Sequence, residues 1–254
     1  MMRSKLIKIF SVCIVLTYWV SFLSQALVQK KLKIRVVATE NKLLQYKEND
    51  INKGSTIDIL TILLKENNIE TTVEYMPWAR AYHIAETTPN TIILSMVKTT
   101  EREAKFHWIG IVSQLSRVFI SLKDNPEAFV ENIEQAKNKI VAVSRNGFSQ
   151  NELIKQGFIV GKNLYVVSSM EKAFDLLLKR KVELIYHDPE AIKRYIVNEK
   201  HSVQAISYAP ITPKDQRTSY IAINKDSDPV LVKKLMATMA KFAQTEKYRA
   251  LLKQ

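Results

Sequence analysis

The chain has 254 residues, of which 46% are hydrophobic and 25% are charged, with only 5 glycines and 7 prolines. This composition excludes an intrinsically disordered, fibrous or low-complexity chain, and the length suits one large domain or two lobes of roughly 100–120 residues each. The net charge of +13 permits anionic partners such as nucleic acid, anionic lipid or acidic ligands, but it selects none of them.

The N-terminus has the three parts of a secretory signal peptide. Basic residues without any acid precede an apolar run over residues 9–23, and the small residue Ala26 follows it. We predict that residues 1–26 are a signal peptide and that the mature protein is periplasmic. The run is shorter than the roughly 20 residues that span a membrane, and an uncleaved anchor is the alternative. The single cysteine, Cys13, lies inside this segment, so cleavage would leave no thiol.

After this segment, the hydrophobic pattern alternates between strands and helices. Apolar, β-branched runs predict strands over residues 33–39, 71–75, 91–97, 117–122, 139–144, 165–167, 182–186, 203–208 and 219–223. Helical spacing and capping residues predict helices over 56–66, after Pro77, over 127–136, after Ser149, over 170–178, after Asp188, and from Asp228 to 242. Such alternation is typical of an α/β fold built from βαβ units.

Two polar breaks divide the alternating pattern, and the second of them contains two prolines. We predict a first lobe from residues 27–122 and 214–254, in which residues 117–122 continue the sheet, and a second lobe from residues 123–213. Two crossing strands would join the lobes. The cleft between them is the expected binding site, because ligands in open α/β sheets bind beyond the carboxyl ends of the strands.

Four motifs follow one another in the first half of the mature chain. They are Gly54-x-x-x-Asp58, Met76 to Ala81, Thr99-x-x-Arg102 and Phe106-His107-Trp108. Together they resemble the extracellular solute-binding proteins that serve polar amino-acid transporters, in a less studied branch of that family. The resemblance implies a two-lobed periplasmic-binding-protein type II fold with two crossover hinge strands. The chain departs from the family pattern at Val97 and over residues 106–110, so the resemblance does not identify the ligand.

Three residues are candidates for holding a ligand carboxylate. The resemblance implies this role for Arg102, and a planar guanidinium can bind a carboxylate at two points. Ser149 can offer its hydroxyl and the N–H groups of a helix start, and Arg145 lies just before it, at the expected mouth of the cleft. Each role has an alternative. Arg102 could be a solvent-exposed arginine, and Ser149 could be a helix cap paired with Glu152.

The remaining candidates are an acid, two aromatic residues and another arginine. Asp188 matches the acid that in the family pairs with the ligand's ammonium group, but it could instead only cap the next helix. Trp78 and Tyr46 could stack on a ligand, although a tryptophan at helical spacing with Tyr82 also suits a core position. Arg80 could reach the cleft or only a surface acid.

These features predict a binding protein and not an enzyme. The sequence contains no H-E-x-x-H motif, no serine nucleophile elbow and no glycine-rich phosphate loop, so we predict no catalytic residue, no metal and no cofactor. The expected partners are a small polar ligand, such as an amino acid or a related carboxylate, and a membrane permease or a membrane sensor. We expect a monomer that does not bind nucleic acid. An enzyme on the same scaffold, similar to cyclohexadienyl dehydratases, is the other interpretation.

Overall fold

The computed structural model of the chain describes residues 34–198, 205–210 and 216–252. The predicted signal peptide, residues 1–26, lies outside these ranges and stays a prediction. Among the residues that the structure describes, no helix has the length and the apolar character needed to cross a membrane.

Strands and helices alternate along the described residues, which confirms the predicted α/β class. The strands are β1 Arg35–Ala38, β2 Tyr46–Glu48, β3 Ile51–Lys53, β4 Val73–Tyr75, β5 Thr91–Val97, β6 Phe106–Ser116, β7 Val118–Leu122, β8 Val141–Ser144, β9 Leu164–Val167, β10 Leu184–His187, β11 Ile206–Tyr208 and β12 Gln216–Asn224. The helices are α1 Ser55–Glu66, α2 Trp78–Thr87, α3 Thr100–Glu103, α4 Ile133–Ala136, α5 Phe148–Lys155, α6 Met170–Leu178, α7 Pro189–Asn198, α8 Pro229–Phe242 and α9 Glu246–Leu252.

The first sheet has the strand order β4-β1-β5-β12-β6. β1 pairs in parallel with β4 and β5, and β12 pairs antiparallel with both of its neighbours, β5 and β6. Successive side chains alternate between two cores. Val36 and Ile92 face a core that includes α1, α8 and α9, whereas Val37 and Ile93 face a core that includes α2. Both faces are therefore covered, as the apolar runs of a parallel sheet require.

The second sheet has the strand order β11-β7-β10-β8-β9. β8 pairs in parallel with β9 and β10, and β7 pairs antiparallel with β10. Its core includes Leu153 of α5, Phe174 of α6 and Ile192 of α7. The chain thus forms two α/β lobes, each with its own sheet and its own apolar core.

The position of β7 differs from the prediction that residues 117–122 continue the first sheet. Ile120 of β7 pairs with Ile185 of β10 and with Tyr208 of β11, so this strand lies inside the second sheet. Only Arg117 separates β6 from β7. The chain therefore crosses between the sheets within one extended segment, and the polar break follows the crossing instead of marking it. The other lobe boundaries stay predictions.

The start of α1 depends on the backbone conformation of Gly54. This residue is the N-cap of α1, with φ 112° and ψ 159°. A Cβ atom at this position would lie 2.3 Å from the carbonyl oxygen of Leu44, which accepts a hydrogen bond of 2.9 Å from the backbone N–H of Thr56. Glycine is therefore required both for the dihedral angles and for the close approach of the loop that contains Leu44.

We expect Gly54→Ala to lower the free energy of unfolding by about 2–4 kcal/mol, because it combines backbone strain with a steric clash. Urea denaturation followed by circular dichroism measures the change. Gly161→Ala is the matched control: Gly161 also has a positive φ, of 82°, but a Cβ atom there would meet no other group within 4 Å. Gly161→Ala should lower the free energy of unfolding by only about 1 kcal/mol. Equal decreases in the two variants would contradict the clash at Leu44.

Candidate functional site

A cleft with a cavity volume of about 150 Å³ lies between the two sheets. Its walls come from the ends of β1 and β5 in the first sheet and from the ends of β8, β9 and β10 in the second. The described ionisable residues that line it are Glu40, Lys42, Arg102, Arg117, Glu171, His187 and Tyr195. The cavity therefore occupies the place where the carboxyl ends of parallel strands from both lobes meet, as expected for a ligand site in this architecture.

Arg102 lies in this cleft, on the short helix α3, and only 4% of its surface is exposed. Its Nη1 donates a hydrogen bond of 3.0 Å to the carbonyl oxygen of Val97. The guanidinium carbon lies 5.2 Å from the ring centroids of both Trp78 and Tyr82. Burial lowers the pKa of Arg102 below its ordinary value, but an arginine still carries its charge at neutral pH. Within the part of the chain that the structure describes, no carboxylate forms an ion pair with it.

Trp78 is the first residue of α2 and also lines the cleft. Its indole Nε1 donates a hydrogen bond of 2.8 Å to the carbonyl oxygen of Asn146, which lies between β8 and α5 in the other lobe. Near it, the carboxylate of Glu101 pairs with the ammonium group of Lys155, again across the two lobes. The two lobes therefore touch across the cleft through a hydrogen bond and an ion pair.

Ser149 lines the cleft from the second lobe, as the second residue of α5. The N-cap of α5 is Gly147, so the predicted capping pair of Ser149 with Glu152 does not form. The Glu152 carboxylate instead accepts a hydrogen bond of 3.1 Å from the Tyr186 hydroxyl and pairs with Arg217. The Ser149 side chain is consequently not engaged as a cap, and it lies at a helix start that faces the cavity.

Asp188 does not line this cavity, in contrast to the expectation that it faces the cleft. Only 3% of its surface is exposed, and its carboxylate accepts two backbone hydrogen bonds, at 2.8 Å from Ser116 N–H and at 3.0 Å from Ala191 N–H. Burial raises the pKa of this carboxyl group. The side chain caps α7 and holds it to the last residue of β6, where the chain crosses between the lobes.

Three other predicted residues also lie outside the cavity. Tyr46 is on β2, with the Lys42 ammonium 5.5 Å from its ring centroid. Arg80 is exposed on α2, and Arg145 is exposed after β8, where its backbone N–H donates to the carbonyl oxygen of Val167. The structure thus brings together Arg102, Trp78 and Ser149 from the predicted set; the other predicted residues lie elsewhere.

Arg117 and His187 also line the cleft, and neither was predicted from the sequence as a site residue. Arg117 lies at the crossing between β6 and β7; its Nη1 donates a hydrogen bond of 3.0 Å to the carbonyl oxygen of Ser116, and its Nε is buried without a partner. His187 is the last residue of β10, and burial together with the charge of Arg117 lowers its pKa to about 3. The imidazole is therefore neutral at physiological pH. In the sequence, Asp188-Pro189 is a helix-start signal, whereas no motif marks His187.

The cleft chemistry suits the binding of an anionic group by hydrogen bonds from cationic and neutral donors. Among residues 34–198, 205–210 and 216–252, no group of His, Cys, Asp and Glu has the arrangement of a metal site. Arg102 and Arg117, with their guanidinium N–H groups, and Ser149, with its hydroxyl, are hydrogen-bond donors among the residues that line this cavity.

No protein-family model and no curated protein matches the sequence. Solved structures match its fold. A histidine kinase sensor domain with similarity to periplasmic binding proteins has a TM-score of 0.76 at 13% identity, covering 88% of this chain and 96% of that one. The arginine-, lysine-, histidine-binding protein ArtJ from the thermophilic bacterium Geobacillus stearothermophilus has a TM-score of 0.72 at 18% identity, over 86% and 93% of the two chains.

An ancestral arginine-binding protein bound to arginine is also similar, with a TM-score of 0.74 at 16% identity over 87% of this chain and 97% of that one. These similarities confirm the predicted fold class: the chain has the two-lobed α/β fold of periplasmic binding proteins. At such low identity the similarities establish the fold alone.

The two backbone hydrogen bonds of Asp188 predict a large loss of stability in Asp188→Ala. We expect the free energy of unfolding to fall by about 2–4 kcal/mol, because the variant loses a helix cap and leaves a second N–H group, that of Ser116, without its acceptor. Urea denaturation measures this loss. Asp228→Ala is the control, because Asp228 caps α8 by accepting a single side-chain hydrogen bond of 2.9 Å from Leu231 N–H. This variant should lower the free energy of unfolding by only about 1 kcal/mol. Similar losses in both variants would contradict the double role of Asp188.

Proposed function

We propose that this protein is a periplasmic solute-binding protein of the kind that serves polar amino-acid transporters. It would bind a small molecule with a carboxylate group, such as an amino acid or a related acid, in the cleft between its lobes. The observation that carries this proposal is Arg102: a buried guanidinium, held by neutral groups, lines a cavity of small-molecule size without a carboxylate partner among the described residues.

Arg102 would bind the ligand carboxylate. One of its nitrogens is already engaged by Val97, and the aromatic rings of Trp78 and Tyr82 keep the guanidinium plane in place, so little rotational freedom is lost when a ligand arrives. Ser149, at the start of α5, would contribute its hydroxyl from the opposite lobe. A carboxylate bound between these groups would lie in a site from which water is largely removed, where charge-assisted hydrogen bonds are strong.

Closure of the lobes would complete the site. Trp78 contacts Asn146, and Glu101 pairs with Lys155, so the described arrangement already joins the two walls. Hinge motion at the two crossings would open the cleft for ligand exchange, and the closed form would present the ligand to a membrane permease. In this proposal the signal peptide over residues 1–26 directs the protein to the periplasm, where it acts as a monomer.

A sensory role is the second candidate, and it is favoured by the similarity to the sensor domain of a histidine kinase. In that case ligand binding in the same cleft would be reported to a membrane partner, and the N-terminal segment would be retained as an anchor. The mass of the protein isolated from its host separates the two candidates: a chain that begins at Leu27 supports the transport role, and a membrane-bound chain that retains residues 1–26 supports the sensory role. The similar structures described above are binding or sensor domains, and we propose no catalytic role.

Ligand binding should raise the melting temperature of the mature protein in a screen of amino acids, polyamines, small acids and oligopeptides. A ligand at a hundredfold excess over its Kd stabilises the folded state by about 2.7 kcal/mol. We expect Arg102→Ala to weaken binding of a carboxylate hit by about 2–5 kcal/mol, because the ligand would lose its buried charged partner. Isothermal titration calorimetry measures the change.

Arg80→Ala is the matched control, since Arg80 lies on α2 in the same lobe as Arg102 but is exposed and does not line the cavity. The Arg80→Ala variant should bind the same ligand with the affinity of the wild type. Unchanged affinity in Arg102→Ala would reject the carboxylate role of this residue, and a screen without any stabilising ligand would reject the proposed function itself.

Trp78→Phe should weaken ligand binding by roughly two- to tenfold, because it keeps an aromatic ring beside Arg102 but removes the indole N–H that joins the lobes. Calorimetric titration with the same ligand tests this. Trp108→Phe serves as control, because the Trp108 indole nitrogen is buried without a partner and lies away from the cavity. If both tryptophan variants bind like the wild type, the hydrogen bond to Asn146 does not contribute to the bound state.

A further inference from the structure

Arg117 is a second arginine in the cleft, and part of its hydrogen-bonding capacity is not used by the residues that the structure describes. Its Nη1 donates to the carbonyl oxygen of the preceding residue, Ser116, at 3.0 Å, and its Nε is buried without any partner. Buried polar groups are nearly always satisfied, and a buried arginine nitrogen that lacks an acceptor beside a cavity points to an acceptor that enters the cavity.

The carboxylates nearest to Arg117 are committed to other groups. Asp188 accepts hydrogen bonds from the backbone N–H groups of Ser116 and Ala191. Glu152 pairs with Arg217 and accepts a hydrogen bond from the Tyr186 hydroxyl. Within the described parts of the chain, neither they nor any other acid form an ion pair with Arg117. Their charges favour the protonated guanidinium at longer range, but they leave its Nε free for another acceptor.

The charge of Arg117 itself disfavours a ligand ammonium group beside it, because like charges repel. His187 is neutral because of burial and of the charge of Arg117, so it offers no negative charge to an ammonium. The described acids that line the cavity are Glu40, which is exposed and accepts a hydrogen bond from the N–H of Lys47, and Glu171, in the first turn of α6. Asp188 does not line the cavity, so Arg117 is the charged residue that the crossing between the lobes contributes to it.

We infer that the cleft binds a small dicarboxylate without an α-ammonium group, with one carboxylate at Arg102 and the other at Arg117. This inference rests on the proposed function, because it assigns the ligand class of the same cleft. Two anionic groups would satisfy both guanidinium groups, whereas an amino acid with one carboxylate would leave one of the two guanidinium groups without an anionic partner.

Ligands that differ in one group test this assignment. Glutarate and L-glutamate have the same two carboxylates, but only L-glutamate has an ammonium group; pentanoate has the chain length of glutarate with one carboxylate. Succinate and adipate vary the distance between the carboxylates. We expect calorimetric titration of the mature protein to show at least one of the three dicarboxylates binding ten or more times more tightly than pentanoate, L-glutamate and L-glutamine.

Substitution of Arg117 then separates the two subsites. Arg117→Met, which keeps much of the length of the side chain, should weaken binding of the best dicarboxylate by roughly tenfold to a hundredfold. It should change the affinity for pentanoate by less than about threefold. Arg117→Lys keeps the charge and should restore part of the dicarboxylate affinity.

Arg80→Met is the control for loss of an arginine outside the cavity and should leave both affinities unchanged. The melting temperature of each unliganded variant reports folding, and Arg117→Lys supplies the comparison if Arg117→Met does not fold.

The outcomes distinguish this inference from the proposed function. Tighter binding of L-glutamine or L-glutamate than of glutarate, succinate and adipate would overturn the inference and leave the solute-binding role intact. An unchanged dicarboxylate affinity in Arg117→Met would overturn the second subsite. Absence of binding by every acid and amino acid in this set would overturn the inference, and the proposed function would be overturned as well only if the whole ligand screen described above also gave no stabilising ligand.

Discussion

The cleft depends on one physical constraint, which is that the positive charge of the Arg102 guanidinium is held by neutral groups. Removing a guanidinium from water costs several kcal/mol unless other groups replace its hydration. For Arg102 the replacements are the carbonyl oxygen of Val97, at the end of β5, and the faces of two aromatic rings on α2. These partners come from two elements of the first lobe, so the guanidinium is positioned only when that sheet and its helix are packed together. The cation–π contacts stabilise the charge without neutralising it, which leaves the charge available to an anion from outside the chain.

The local patterns in the sequence were sufficient to predict most of the strands and helices of the fold. The strand predicted over residues 91–97 and the helix predicted over residues 170–178 match β5 and α6, because period-2 and period-3.6 apolar spacing are properties of short segments. Arg102 was predicted from the resemblance of Thr99-x-x-Arg102 to a family motif, and Trp78 from its place in the Met76 to Ala81 motif; both residues line the cleft.

What could not be predicted depends on partners that are far away in the sequence. Whether Asp188 contacts a ligand or caps a helix is decided by Ser116, which is 72 residues away and supplies a second N–H group. The sheet to which β7 belongs is decided by β10 and β11, both of which come later in the chain. The same crossing places Arg117 in the cleft. A sequence window around Arg117 shows only a polar residue between two extended segments, and it contains no information about the cavity beside it.

The insertion of β12 between β5 and β6 has a consequence for the order of assembly. The second sheet is built from strands that lie consecutively between residues 118 and 208, whereas the first sheet receives an inner strand from residues 216–224. β5 and β6 therefore lack their shared neighbour until nearly the whole polypeptide has been made, and both keep an open edge until then. Long-range pairings of this kind slow folding and expose strand edges to aggregation. A chain truncated before residue 216 would thus contain every strand of the second sheet, while the first would stay split into separate pieces.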